Sequence, residues 1–104
     1  MIAGIDYGRL LGMTPHIYNV TLTLPNTEYS QDLPAGTKKF TIQERGGNAF
    51  RLAFETGRVA TPTEPYATVG ANQTYSEDHV YLTDKKVYLA DPVGGRVIEI
   101  ICWT

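Results

Sequence analysis

Residues 37–54 read Thr-Lys-Lys-Phe-Thr-Ile-Gln-Glu-Arg-Gly-Gly-Asn-Ala-Phe-Arg-Leu-Ala-Phe, and this stretch constrains the fold more than any other. Phe40 and Ile42 alternate with Thr41 and Gln43; Phe50, Leu52 and Phe54 alternate with Arg51, Ala53 and Glu55. A period of two sends alternate side chains to opposite faces of a strand, whereas a helix would need apolar positions three and four apart. Gly46-Gly47-Asn48 lies between the runs and supplies the positive φ of a tight reversal. The expectation is a β-hairpin with one apolar and one polar face, closed by Gly57.

The same alternation recurs along the chain. Tyr18, Val20, Leu22 and Leu24 alternate with Asn19, Thr21 and Thr23, until Pro25-Asn26 stops the strand. Glu28 to Leu33 and Thr74 to Asp78 read as short polar strands, and Tyr66 to Val69 as another short one. Val80 to Leu82 either extends the strand before it or forms a separate piece. Val87 and Leu89 alternate with Tyr88 and Ala90, Asp91 to Gly95 turns the chain, and Arg96 to Trp103 is the last strand. Residues 57–65 hold two prolines and no pattern, and read as a surface crossover.

The second half echoes the first. Asn26-Thr27-Glu28-Tyr29-Ser30-Gln31-Asp32 resembles Asn72-Gln73-Thr74-Tyr75-Ser76-Glu77-Asp78. Lys38-Lys39-Phe40-Thr41-Ile42 resembles Lys85-Lys86-Val87-Tyr88-Leu89, and Gly46-Gly47 matches Gly94-Gly95. The offset grows only at turns, where insertions are tolerated. About eight short strands with regular turn signals predict an all-β fold: a two-sheet antiparallel β-sandwich, jelly-roll-like, in two similar halves. The predicted inward set is Tyr18, Val20, Leu22, Leu24, Phe40, Ile42, Phe50, Leu52, Phe54, Val87, Leu89, Ile98 and Ile100. Each large side chain buried contributes roughly 1.5–3 kcal/mol, enough for one small core.

At 104 residues the chain has room for one domain, expected over 16–104. Residues 1–15 form an irregular N-terminal arm: Gly4, Gly8 and Gly12 disfavour a helix, and Pro15 ends it. Ile2, Ile5, Leu10, Leu11 and Met13 are too apolar for a solvated tail. They pack either on their own domain or on a neighbouring subunit. The final strand is apolar on both faces. Ile98, Ile100 and Cys102 form one face; Val97, Ile101 and Trp103 form the other, broken by Glu99. In a two-layer sandwich one of these faces lies outside, so Val97, Ile101 and Trp103 are candidate partner-interface residues unless the arm covers them.

Chemistry-bearing groups are scattered. Nine Lys and Arg against 11 Asp and Glu leave a formal charge of −2, with no basic excess for nucleic acid or an anionic membrane. Cys102 is the one cysteine, so no intrachain disulfide can form, and it reads as a small buried apolar residue. No segment approaches a membrane-spanning length, and the start lacks a signal-peptide pattern. His16 and His79 are the histidines. Alternation places Glu77 and His79 on one face, a metal pair on paper, but a solvated strand end is the simpler reading. Ser76, His79 and an acid could be drawn as a triad, yet no glycine-flanked nucleophile supports it. No phosphate-binding glycine loop is present. No enzyme, cofactor or metal is expected. Asn19-Val20-Thr21 and Asn72-Gln73-Thr74 match a glycosylation pattern that is common by chance. Tyr29 and Tyr75 hold equivalent repeat positions and are candidate glycan contacts, although strand tyrosines are ordinarily half-buried with the hydroxyl outside.

A resemblance follows from Tyr29-Ser30-Gln31-Asp32-Leu33-Pro34-Ala35-Gly36-Thr37-Lys38-Lys39-Phe40-Thr41-Ile42-Gln43, Arg51-Leu52-Ala53-Phe54, Tyr75-Ser76-Glu77-Asp78 and the terminal Ile101-Cys102-Trp103-Thr104. Together they resemble small β-sandwich virion proteins of tailed bacteriophages, encoded near head genes. The likeness covers Tyr18 to Thr104 and leaves residues 1–15 outside. It implies a structural role in the virion, as a capsid decoration (cement) protein made in the host cytoplasm. The implied partners are the major capsid protein or other virion proteins, in a homo-oligomer, with a trimer favoured. A head–tail junction, tail or fibre component is the related alternative. A carbohydrate-binding module and a small hydrolase are the rivals from other classes.

Overall fold

A computed structural model describes residues 12–104. The alternating stretches become β1 (Pro15–Leu22), β2 (Tyr29–Leu33), β3 (Lys39–Glu44), β4 (Phe50–Ala53), β5 (Ala67–Val69), β6 (Thr74–Asp78), β7 (Lys85–Ala90) and β8 (Arg96–Trp103). Among the described residues they form two four-stranded sheets, sheet A in the order β1-β8-β3-β6 and sheet B in the order β2-β7-β4-β5. All pairings are antiparallel. This is a jelly-roll-like double-stranded β-helix.

The expected hairpin over 37–54 is not one. β3 pairs with β6 and β8, whereas β4 pairs with β5 and β7, in the other sheet. Gly46-Gly47-Asn48 therefore arches the chain across the sandwich, with Gly47 at φ 79°. Gly95, at φ 88°, does the same between β7 and β8. A positive φ without a side chain suits either connection. What differs is the partner. In a hairpin the two runs would bond edge to edge; here Phe40 and Ile42 meet Phe50 and Leu52 through their apolar faces in one core.

Advancing every strand by four turns β1-β8-β3-β6 into β5-β4-β7-β2, which is sheet B read from its other edge. The two halves of the chain are thus exchanged by an approximate two-fold, in keeping with the sequence echo.

The core holds Leu22, Leu33, Phe40, Ile42, Phe50, Leu52, Val69, Val87, Leu89, Ile98, Ile100 and Cys102, with Tyr18, Val20, Tyr29 and Tyr75 packed around it. Two expected members stand outside. Leu24 is 58% exposed because β1 ends at Leu22, and Phe54 is 42% exposed because β4 ends at Ala53. Alternation holds only while the strand does. β1 also begins earlier than expected: Pro15 is its first residue, and Thr14 already exchanges backbone hydrogen bonds with Thr104.

A second, smaller core lies on the outer face of sheet B. Residues 54–66 fold back over it, so that Val59 is buried with Ala53 and Ala90, flanked by Tyr66 and Tyr88. The small side chains of Ala53 and Ala90 let the loop approach. Arg51 clamps it: Nε donates to the Val59 carbonyl at 2.8 Å, and Nη2 donates to Asn26 Oδ1 at 3.0 Å. Glu28 holds the other side, accepting from Thr56 Oγ1 at 2.7 Å and from the Gly57 amide at 2.8 Å.

Candidate functional site

Residues 54–66 cover sheet B, and among the described residues no segment covers the outer face of sheet A in the same way. Cross-strand register builds this face row by row. Pro15, Trp103, Lys39 and Asp78 form one row; Ile17, Ile101, Thr41 and Ser76 the next; Asn19, Glu99, Gln43 and Thr74 the third. Thr21 and Val97 follow beyond them. The β1–β8 corner is apolar. Ile17 is 66% exposed, Ile101 and Trp103 are half-buried beside it, and Lys39 Nζ lies 5.5 Å above the Trp103 ring. A cation over an indole is attracted by the ring quadrupole and fixes the rim of the patch.

The centre of the face is polar and internally satisfied. Arg45 Nε donates to Glu99 Oε2 at 2.8 Å, and Gln43 Nε2 donates to Glu99 Oε1 at 3.0 Å. Thr74 Oγ1 donates to Gln43 Oε1 at 3.1 Å. The Arg45 and Gln43 bonds hold the Glu99 carboxyl below its usual range. This row separates Val97 from Ile101 and Trp103. Of the sequence-predicted interface set, the structure therefore joins Ile101 and Trp103 and sets Val97 apart. It adds Ile17, which the alternation that turns Asn19 and Thr21 outward turns outward as well, and Pro15, which the sequence reading set at the end of the arm and the structure makes the first residue of β1.

Met13 is half-buried and, with Gly12, borders a hollow of about 590 Å³ lined also by Lys38, Val80 and Tyr81. Ile2, Ile5, Leu10 and Leu11 lie outside the described residues.

Tyr29 and Tyr75 do not share a surface. β2 and β6 are edge strands of different sheets, at opposite flanks of the sandwich. Both rings pack on the core. The Tyr29 hydroxyl accepts the Leu24 amide at 3.0 Å, and the Tyr75 hydroxyl donates to Glu77 Oε2 at 2.7 Å. Burial and the Glu77 carboxylate push the Tyr75 phenol up to about 12. Its ring, 5.8 Å from that of Phe40, separates two shallow apolar hollows. One, of about 290 Å³, is lined by Leu52, Phe54, Pro65 and Tyr66; the other, of about 390 Å³, by Phe40, Val80, Leu82 and Lys85.

The remaining candidates are placed apart. His16 Nε2 lies 3.0 Å from Thr104 Oγ1. Left-handed backbone at His79, φ 59°, breaks the alternation that would have set it beside Glu77. Among the described residues no group of three or more His, Cys, Asp or Glu is placed to hold a metal ion. Cys102 is buried, and burial pushes its thiol up to about 11, so it stays protonated at neutral pH. No described helix is long and apolar enough to cross a membrane.

No protein-family model matches the chain, and no curated protein does. Among solved structures it is similar to a de novo designed double-stranded β-helix, with a TM-score of 0.51 and 13% identity over 88% of this chain and 99% of that one. That likeness concerns the fold alone.

Proposed function

We propose that the chain is a non-enzymatic virion structural protein that binds neighbouring protein subunits through the outer face of sheet A. One observation carries this reading. Among the described residues, a loop covers the outer face of sheet B, while on sheet A Ile17 stays exposed and Ile101 and Trp103 stay half-buried. An apolar patch rimmed by satisfied polar groups is the usual form of a protein contact. The virion setting comes from the sequence resemblance. A capsid decoration (cement) role fits it first, with a head–tail junction, tail or fibre position as the related site. Bridging the major capsid protein would stabilise the head by mass action, because the added buried area exists only in the assembled state.

The test is cosedimentation of the purified chain with phage heads stripped of it. Ile17→Asp with Ile101→Asp should abolish binding while the isolated domain keeps its melting temperature to within a few degrees. Undiminished binding by that variant would refute the assignment of the face.

A second reading, carbohydrate binding, is favoured by one feature only: the groove where Phe54, Tyr66 and Tyr75 line one hollow. Tyr29 has no part in it. Glycan-array binding that is lost in Tyr66→Ala would establish this reading in place of the first.

A further inference from the structure

We infer that β1 is a self-pairing edge, through which two copies of this chain join antiparallel about a two-fold axis at Asn19. The inference goes beyond the virion reading and does not depend on it.

The backbone comes first. Thr14 and Thr104 donate to each other's carbonyls at 2.9 Å, which makes them a hydrogen-bonded pair of the β1–β8 ladder. Such pairs alternate along antiparallel strands. His16, Tyr18, Val20 and Leu22 therefore bond to β8, and Pro15, Ile17, Asn19 and Thr21 direct their backbone groups to the free edge. Pro15 has no N–H. Ile17, Asn19 and Thr21 each offer a donor and an acceptor, and no strand of the described residues pairs with this side of β1.

Charge then separates this edge from the others. β1 spans eight residues, Pro-His-Ile-Tyr-Asn-Val-Thr-Leu, without a single Asp, Glu, Lys or Arg. Edge strands that stay unpaired are ordinarily short, charged or bulged. The other edges follow that rule. β5 has three residues, β2 carries Asp32, and β6 carries Glu77 and Asp78, so β6 set against its own copy would gather carboxylates on one ladder. β1 meets its copy with no such repulsion.

Register follows from the same groups. With Asn19 on the axis, Ile17 lies opposite Thr21 of the second copy and Asn19 opposite Asn19. All three free residues then exchange both bonds, and Pro15 falls outside the paired segment. On the inner side Tyr18 faces Val20 of the second copy, an aromatic–β-branched pair of the kind that stabilises sheets. On the outer side Ile17, 66% exposed, gains cover from Thr21. The two four-stranded A sheets become one continuous sheet. Identical antiparallel strands make an isologous contact, so this edge builds a dimer and not the expected trimer.

Sedimentation velocity on the full chain, from about 1 µM to about 1 mM, reads the association directly. The expected result is a species of twice the 11.5 kDa chain mass whose fraction rises with concentration. Ile17→Lys with Thr21→Lys sets like charges face to face and should weaken the dimer by about tenfold or more; Ile17→Lys with Thr21→Glu sets opposite charges face to face and should retain it. Amide exchange on the unmutated chain is the control that needs no variant: Ile17, Asn19 and Thr21 should gain protection as concentration rises. A monomer throughout, as expected if the edge serves a foreign strand, overturns the inference. So does a trimer, equal dissociation of the two double variants, or exchange at these three amides that ignores concentration.

Discussion

Asn26 and Asn72 adopt the same left-handed backbone, φ 49° and 60°, at the turns that lead into β2 and β6. Asn tolerates this region because its short amide can bond locally; most other side chains meet the following carbonyl. The amides beside them are anchored differently. Asn26 donates to the Asp91 carbonyl at 2.7 Å, and Asn72 to the Gly47 carbonyl at 2.9 Å. Asn26 Oδ1 also accepts from Arg51, so its side chain ties the turn to the clamp on sheet B. Asn72→Ala should cost about 1–2 kcal/mol and Asn72→Gly close to nothing. Asn26→Gly, by contrast, should still cost about 1 kcal/mol through the lost Arg51 bond. Urea unfolding of the three variants checks the ordering.

Ile100 and Ile101 are chain neighbours with opposite surroundings. Ile100 is fully buried in the core, and Ile101 lies on the outer face of sheet A. Ile100→Ala should destabilise by about 2–5 kcal/mol, the transfer loss plus a cavity. Ile101→Ala should cost under about 1 kcal/mol in the isolated chain, since its site is half open to water already. Thermal melts of the pair test the register of β8 in one experiment, because a one-residue slip would reverse the result.

The strands were legible because alternation is a local property. β3 is a clear case: Phe40 and Ile42 face inward, with Thr41 and Gln43 on the other side, as their spacing predicts. Connectivity was not local. A run, a glycine turn and a second run serve a hairpin or an arch between sheets equally well, so Phe40-to-Phe54 could not declare that β3 and β4 part company. Nor could the pattern show that Val59, in a stretch with two nearby prolines and no periodicity, would become fully buried. Its burial depends on Arg51 and Glu28 reaching the loop from other strands and turns. Of the candidate face, Ile101 and Trp103 followed from a strand apolar on both sides. Their union with Ile17 and Pro15 needed the β1–β8 register.

The loop over sheet B gives a prediction about exposure. Arg51→Ala removes the donors to the Val59 and Ala60 carbonyls and to Asn26. The variant should lose about 1–3 kcal/mol and open residues 54–66 to protease before the rest of the domain unfolds. Limited trypsin digestion at Arg58, followed by mass spectrometry, reads this directly. Cleavage there should rise several-fold over the parent chain at equal protease. Val59→Ala should do the same more weakly, through lost burial and not through lost bonds.

Glu44 and Asp91, both buried, respond to pH with opposite sign. Burial acts to raise the Glu44 carboxyl, but bonds from the Asn48 and Gly46 amides outweigh it and leave it below its usual range. The Asn48 amide is 2.7 Å from Oε1, and Asn48 Nδ2 is 3.0 Å from it. Glu44 therefore contributes stability that is present above its unfolded value of 4.5 and is lost as pH falls through the lower folded value. Asp91 runs the other way. Burial raises it, with only partial relief from the Val93 amide and from Arg96, whose Nη1 is 3.7 Å from an Oδ2 that accepts no hydrogen bond among the described residues. Its contribution is fully present below the unfolded value of 3.8 and is lost as pH rises through the raised folded value. Glu44→Gln should thus destabilise at pH 7 and converge on the parent chain in acid. Asp91→Asn should compare most favourably with the parent at pH 7 and least favourably near pH 3. Stability curves for the two variants that move in the same direction between those pH values would contradict the opposed environments of the two carboxyls.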